Sequence, residues 1–136
     1  MTAAVQVKNL KYFYGTHKAL DGVTFDVRRG EIFGLLGPNG GGKTTLIRIL
    51  STSFPPASGE AAIFGADVRT HADAVRRAIG VVFQNPSLDK KLTVRENLMH
   101  HGHLYGLRGA ELQNRMREMM DRLVIADRSG SLVETL

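Results

Sequence analysis

Apolar positions fall into two regimes along the chain. Up to about residue 85 they form short alternating or continuous runs separated by glycine- and proline-bearing turns, and beyond it they recur at helical spacing. Val5-Gln6-Val7 alternates, as does Val23-Thr24-Phe25-Asp26-Val27, which predicts a strand with Val23, Phe25 and Val27 on one face. Most of residues 5–35 read as strands, with a turn at Arg29-Gly30. Ile32-Phe33-Gly34-Leu35-Leu36 is continuously apolar, the pattern of a strand buried on both faces. Gly80-Val81-Val82-Phe83-Gln84 predicts a second such strand.

Between the two buried runs lie helical signals. Lys43 to about Ser53 predicts a helix with Leu46, Ile49 and Leu50 on one side, stopped by Pro55-Pro56 and Ser58-Gly59. Residues 60–64 predict a short strand. Thr70-His71-Ala72-Asp73 has the form of a capping box for a helix to about Ala78, with Val75, Ala78 and Ile79 inward.

The character changes after Pro86. Thr93-Val94-Arg95-Glu96 is a second capping box, opening a helix to about Tyr105 that Gly102 is expected to interrupt. Ala110 to Val124 is the clearest amphipathic stretch, striped by Leu112, Met116, Met119, Met120 and Leu123. Glu111–Arg115 and Glu118–Arg122 stand at (i, i+4) in the favoured order. Strands and helices mixed in the first part, then helices alone, predict an α/β fold.

Composition narrows this reading only a little. In 136 residues, 43% hydrophobic and 23% charged is a globular balance, enough for a packed core. There is no cysteine, which removes disulfides and thiolate metal sites and fits a reducing compartment. The first residues carry no apolar run of signal-peptide length, and no stretch is apolar for the roughly 18 residues of a membrane span. The net charge of +5 raises nucleic acid as a partner, but the 18 basic residues are scattered, with no aromatic-basic stripe, so none is expected.

One segment carries chemistry. Gly37-Pro38-Asn39-Gly40-Gly41-Gly42-Lys43-Thr44-Thr45 matches G-x-x-x-x-G-K-[ST], between a buried-strand signal and an apolar-striped helix. A triphosphate needs several donors converging on one anion. Glycines at 40, 41 and 42 let the backbone curl so that its N–H groups face one concavity, and the following helix adds its positive N-terminal dipole. In that arrangement Lys43 reaches the β- and γ-phosphates, the Thr44 hydroxyl ligates Mg²⁺, and Thr45 can reach the α-phosphate. His100, His101 and His103 also cluster, with Glu96 one turn away. No second cluster would complete a metal site, so a solvated helix face is the expectation.

With these residues in place the chain resembles the ATP-binding cassette (ABC) family over essentially its whole length. The loop has the family's Gly-Pro-Asn-Gly-x-Gly-Lys-Thr-Thr form, with Gly41 where alanine is usual. Ser58-Gly59-Glu60 is similar to the family's lead-in to the next strand. Ile79 to Gln84 resembles the Q-loop strand, and Leu92-Thr93-Val94-Arg95-Glu96-Asn97-Leu98 the opening of the helical subdomain. The resemblance implies that Tyr14 stacks on adenine, with Tyr12 or Phe13 as alternatives, and that Gln84 presents its amide to Mg²⁺ or to the attacking water.

It further implies a P-loop NTPase core with an N-terminal antiparallel β portion and the start of a helical subdomain. Residues 1–85 would be the β portion and P-loop core, and 86–136 the Q-loop and the beginning of the helical part. The expected function is that of the ATP-binding subunit of a transporter, using ATP and Mg²⁺, dimerising with a second cassette and seated against a permease on the cytoplasmic face of a membrane. The wording around Lys90-Lys91-Leu92 and Leu104-Tyr105-Gly106-Leu107 looks most like prokaryotic drug-resistance and type-2 export ATPases. Members continue with a signature Leu-Ser-Gly-Gly-Gln, a Walker B strand and a switch histidine. Leu136 falls where the signature would begin, so the 136 residues are expected to be an incomplete cassette that does not turn over by itself. The rival expectations are a non-transport ABC ATPase and a nucleotide-binding or interaction module without catalysis.

Overall fold

A computed structural model describes residues 3–85 and 87–136; Pro86, where the sequence changes character, lies outside the described residues. The chain divides into two compact units, one running to Val82 and the other from Phe83 to Leu136.

The first unit is built on a sheet. β1 (Ala3–Tyr14) and β2 (His17–Arg28) form a hairpin closed by Gly15-Thr16, a turn that the alternation of apolar residues does not reveal. β3 (Ser58–Ile63) pairs antiparallel with the other edge of β1, and the short β4 (Ala66–Asp67) with β3, giving the order β2-β1-β3-β4. The alternation in β2 is realised: Val23, Phe25 and Val27 turn toward the protein, Thr24 and Asp26 outward. β3 can approach β1 closely because residue 59 has no side chain. A Cβ on Gly59 would sit 2.7 Å from the Leu10 Cα.

α1 (Lys43–Leu50) packs Leu46 and Ile49 into a core with Val7, Leu10, Leu20, Ala61, Ile63, Val68 and Val75, all buried. α2 (Ala72–Ala78) contributes Val75. Ile79 is half-buried against this core, whereas Ala78 is exposed rather than inward.

The expected capping box at Thr70–Asp73 does not form. His71 is the N-cap and its side chain makes no capping bond. Asp67 captures the segment first: its Oδ1 accepts from the Arg69 and Thr70 amides at 2.9 and 2.8 Å and from the Thr70 hydroxyl at 3.1 Å. The Thr70 amide and hydroxyl that a capping box would use are thus both engaged by an aspartate outside the four-residue pattern, in an Asx-type turn. These amide bonds, that of Thr70 above all, hold the Asp67 carboxyl below its ordinary value.

The two continuous apolar runs also depart from expectation. Neither residues 31–38 nor residues 79–83 carry a strand ladder. Ile32 is 100% exposed, Leu36 94% and Val82 99%; only Phe33, stacked on Phe25 at 5.1 Å, and Leu35 pack inward. A run apolar on both faces becomes a strand only where neighbours hydrogen-bond its edges, and no described segment does so here.

The second unit is helical. α3 (Val94–Leu104) opens on the expected box: the Glu96 amide donates to the Thr93 Oγ1 at 3.2 Å and the Thr93 amide to the Glu96 Oε2 at 2.8 Å. Gly102 does not interrupt α3 but lies within it, at the contact with Leu112 of α4 (Gly109–Arg122), where a Cβ would collide with the leucine tip. α4 buries Leu112, Met116 and Met120, while Met119 and Leu123 of the expected stripe are exposed. Glu118 pairs with Arg122 at 3.8 Å as expected. Arg115 turns to Glu118 at 3.2 Å instead of to Glu111, because one carboxylate lies within reach of both arginines.

Candidate functional site

The glycine-rich loop lies between the exposed run and α1. Gly40 and Gly42 both adopt φ of +81°, the left-handed region that L-residues avoid. Gly42 is the N-cap of α1, and its carbonyl accepts from the Leu46 amide at 2.9 Å, the first helical bond. A Cβ on Gly42 would strike the Ala19 carbonyl of β2 and lie 2.8 Å from the Leu20 side chain. The third glycine thus seats the loop directly on the sheet.

Lys43 is folded back over the loop, its Nζ donating to the carbonyls of Gly37 and Pro38 at 2.7 Å each. The ammonium therefore sits within the curl of residues 37–43, held by two neutral carbonyls. Oxygens of an anion placed there would compete for the same N–H bonds, and charge-assisted bonds are the stronger. Thr44 is exposed, whereas Thr45 is buried beneath the loop. Asn39 and Gly41 are exposed, and the Gly41 amide donates back to the Pro38 carbonyl at 3.1 Å.

The aromatic alternatives separate by environment. Tyr12 is half-buried against the core and packs on Phe54 at 4.8 Å. Phe13 is exposed, with no aromatic neighbour among the described residues. Tyr14 is 45% exposed at the end of β1, edge-on to Tyr12, with its hydroxyl 3.4 Å from the Thr45 Oγ1. Of the three, Tyr14 alone joins an open ring face to a contact with the glycine-rich loop's own threonine. Gln84 falls in the second unit, exposed in a bend. Among the described residues no group of three or more His, Asp or Glu is gathered to hold a metal, His100, His101 and His103 included.

A family model described as ABC transporter matches residues 20–136. The chain belongs to the ABC transporter family. Among curated relatives, the daunorubicin/doxorubicin resistance ATP-binding protein DrrA of Streptomyces peucetius is 40% identical over 98% of this chain and 41% of its own length. The Nod factor export ATP-binding protein I of Cupriavidus metallidurans is 37% identical over 100% of this chain and 45% of its own. This ABC chain therefore spans less than half the length of these relatives. Among solved structures, CbiO1 of Clostridium perfringens, described as part of the ABC transporter complex CbiONQ, superposes with a TM-score of 0.84 at 26% identity. It is covered over 56% of its length by 100% of this chain. The likeness to drug-resistance and export ATPases, and the α/β cassette fold, are thereby established for the chain. Family membership implies nucleotide binding.

One residue that sequence reasoning passed over matters to the site. Ala19 lies beneath Gly42 through its backbone carbonyl, a contact that no side-chain pattern in the sequence signals.

Proposed function

We propose that this chain supplies, through the glycine-rich loop of residues 37–45, one half of an Mg-ATP site in the ATP-binding subunit of an ABC exporter. The observation that carries the reading is the Lys43 ammonium poised on the Gly37 and Pro38 carbonyls, inside a loop whose Gly40 and Gly42 are left-handed. The residues present fit a nucleotide. The loop is open to solvent at Asn39, Gly40 and Gly41, and Thr44 presents a free hydroxyl in the first turn of α1.

Bound Mg²⁺ would neutralise charge on the phosphates. Lys43 trades its two carbonyl partners for β- and γ-phosphate oxygens, and the α1 N-terminus adds partial positive charge. Thr44, and Gln84 by resemblance, offer oxygens to the metal. Tyr14 offers a ring face to the base, and Thr45 a hydroxyl to the α-phosphate. In the intact subunit a second cassette completes the site, and a permease receives the work of hydrolysis at the cytoplasmic face. The names of the relatives, drug resistance and Nod factor export, support export as the direction. No described helix is long and apolar enough to cross a membrane.

Titration with a fluorescent ATP analogue tests the reading. Lys43→Ala is expected to weaken binding by about tenfold or more, the loss of a hydrogen-bonded charge, while leaving the thermal melt in place. Equal affinity in both proteins sinks it.

A further inference from the structure

Tyr14 ends β1 with its ring exposed, and two contacts orient it. In a tyrosine the hydroxyl oxygen lies on the axis about which the ring turns, and that torsion is broad unless a neighbour restricts it. The Tyr14 hydroxyl meets the Thr45 Oγ1 at 3.4 Å. This contact aims the axis at the glycine-rich loop and leaves the ring plane free. The plane is set by Tyr12, two residues back on β1. The two rings stand 5.0 Å apart with their planes at 69°, a T-shaped contact. Such a contact is directional, because the positive edge of one ring seeks the negative face of the other. It covers at most one face of Tyr14 and leaves the other for a ligand. An aliphatic side chain at position 12 would fill the same space without choosing a plane.

Tyr12 is itself held. It is half-buried against the core and packs on Phe54, with ring centroids 4.8 Å apart. Phe54 is placed by the way α1 ends. Thr52 adopts a φ of +61°, its amide donates to the Ile49 carbonyl at 2.9 Å, and the Ser53 amide donates to the Arg48 carbonyl at 2.8 Å. These two bonds form a Schellman reversal, which turns the chain sharply just before Phe54. The helix that carries the glycine-rich loop at its N-terminus thus carries, just past its C-terminus, the ring that backs Tyr12. Every residue in this chain of contacts, from Phe54 through Tyr12 and Tyr14 to Thr45, belongs to the first compact unit.

We propose that Tyr12, backed by Phe54, is a positioning residue for the nucleotide base, fixing the plane of the Tyr14 ring before the base arrives. A platform set in advance costs less to order on binding. This rests on the reading of Tyr14 as the base platform. The test measures, by calorimetry on the full chain, the binding of ATP and of inorganic tripolyphosphate, each with Mg²⁺. Tripolyphosphate has the charge and no base. Tyr12→Leu should weaken ATP binding about two- to tenfold, the range of an aromatic pair, and leave tripolyphosphate binding unchanged. Tyr12→Phe keeps the ring and should bind ATP as the wild type does. Because Tyr12 acts through Tyr14, adding Tyr12→Leu to Tyr14→Ala should cost nothing further.

An equal fall in tripolyphosphate binding, or a further loss in the double variant, overturns the assignment, since either would mean that Tyr12 serves the fold at large. Should Tyr12→Leu lose its cooperative melt, Phe54→Leu serves instead: it removes the backing ring and should weaken ATP binding while sparing tripolyphosphate. A folded Phe54→Leu that binds ATP at full strength also overturns the assignment. Unchanged ATP binding in Tyr14→Ala refutes the base reading of Tyr14, and this inference with it. ATP binding that Tyr14→Ala weakens and Tyr12→Leu does not refutes this inference alone.

Discussion

The three consecutive glycines of the loop make different demands, and alanine scanning should separate them. Gly42 and Gly40 share a φ of +81°, so alanine at either pays the left-handed cost of about 1–2 kcal/mol. At Gly40 nothing lies within 4 Å of the added methyl. At Gly42 the methyl meets the Ala19 carbonyl and lies 2.8 Å from the Leu20 Cδ2. That carbonyl belongs to the backbone of a paired strand and cannot swing aside as a side-chain tip would. The loop must lift off the sheet instead, adding an overpacking cost of about 1–3 kcal/mol. The sum for Gly42→Ala is about 2–5 kcal/mol, a large share of a domain's stability of about 5–15 kcal/mol. Gly41 is in an ordinary conformation, and its methyl would lie 3.0 Å from the Pro38 carbonyl, within a loop that can give by a few tenths of an ångström. Reduced freedom of the unfolded chain offsets that by about 0.4–1 kcal/mol, so Gly41→Ala should be close to neutral.

The expected order of damage is therefore Gly42→Ala, then Gly40→Ala, then Gly41→Ala. Thermal melts by circular dichroism read the stability term, and titration with an ATP analogue reads the displacement of the loop. Gly42→Ala should lose both stability and affinity. If Gly41→Ala proves as damaging as Gly42→Ala, or if Gly42→Ala melts like the wild type, the seating of the loop on Ala19 is wrong.

Two further outcomes follow from local geometry. The Glu96 carboxyl is held below its ordinary value of 4.5 by the Thr93 amide and hydroxyl, with His100 adding a favourable charge. A depressed carboxyl stabilises the fold above its unfolded value and loses that contribution as pH falls through the folded one. The melting temperature should thus drop below about pH 4.5 in wild type and drop less in Glu96→Gln; identical pH profiles would exclude this linkage. Ile32, Leu36 and Val82 are exposed on backbone outside any strand, whose unpaired groups are a template for intermolecular pairing. The chain should self-associate in size exclusion with light scattering, and Leu36→Lys with Val82→Lys should suppress it. A wild type that stays monomeric as its concentration is raised would contradict this.

Much of the site was legible because its determinants are local. A glycine-rich turn with a lysine ahead of an apolar stripe dictates its own geometry, and the loop is folded as the spacing requires. The Thr93–Glu96 box was legible for the same reason, since both partners lie within one turn. The box at Thr70 failed because Asp67, outside the four-residue pattern, engages the Thr70 amide and hydroxyl that the box would use. The largest difference concerns Ile32–Leu36 and Gly80–Gln84. Their apolar runs carry the pattern of strands buried on both faces. A strand, however, is a property of two segments, whereas a P-loop or a helix cap is a property of one. The hairpin of β1 and β2 forms because its partner is the next segment along the chain. The two apolar runs need partners on both edges, and no described segment hydrogen-bonds them as a ladder, so Ile32, Leu36 and Val82 face solvent. The glycine-rich loop keeps its shape regardless, because Gly42 is seated on Ala19 and Leu20 of β2 and α1, which follows it, is anchored in the core by Leu46 and Ile49. The shape of the loop therefore depends on the antiparallel sheet and α1, and on neither apolar run becoming a strand.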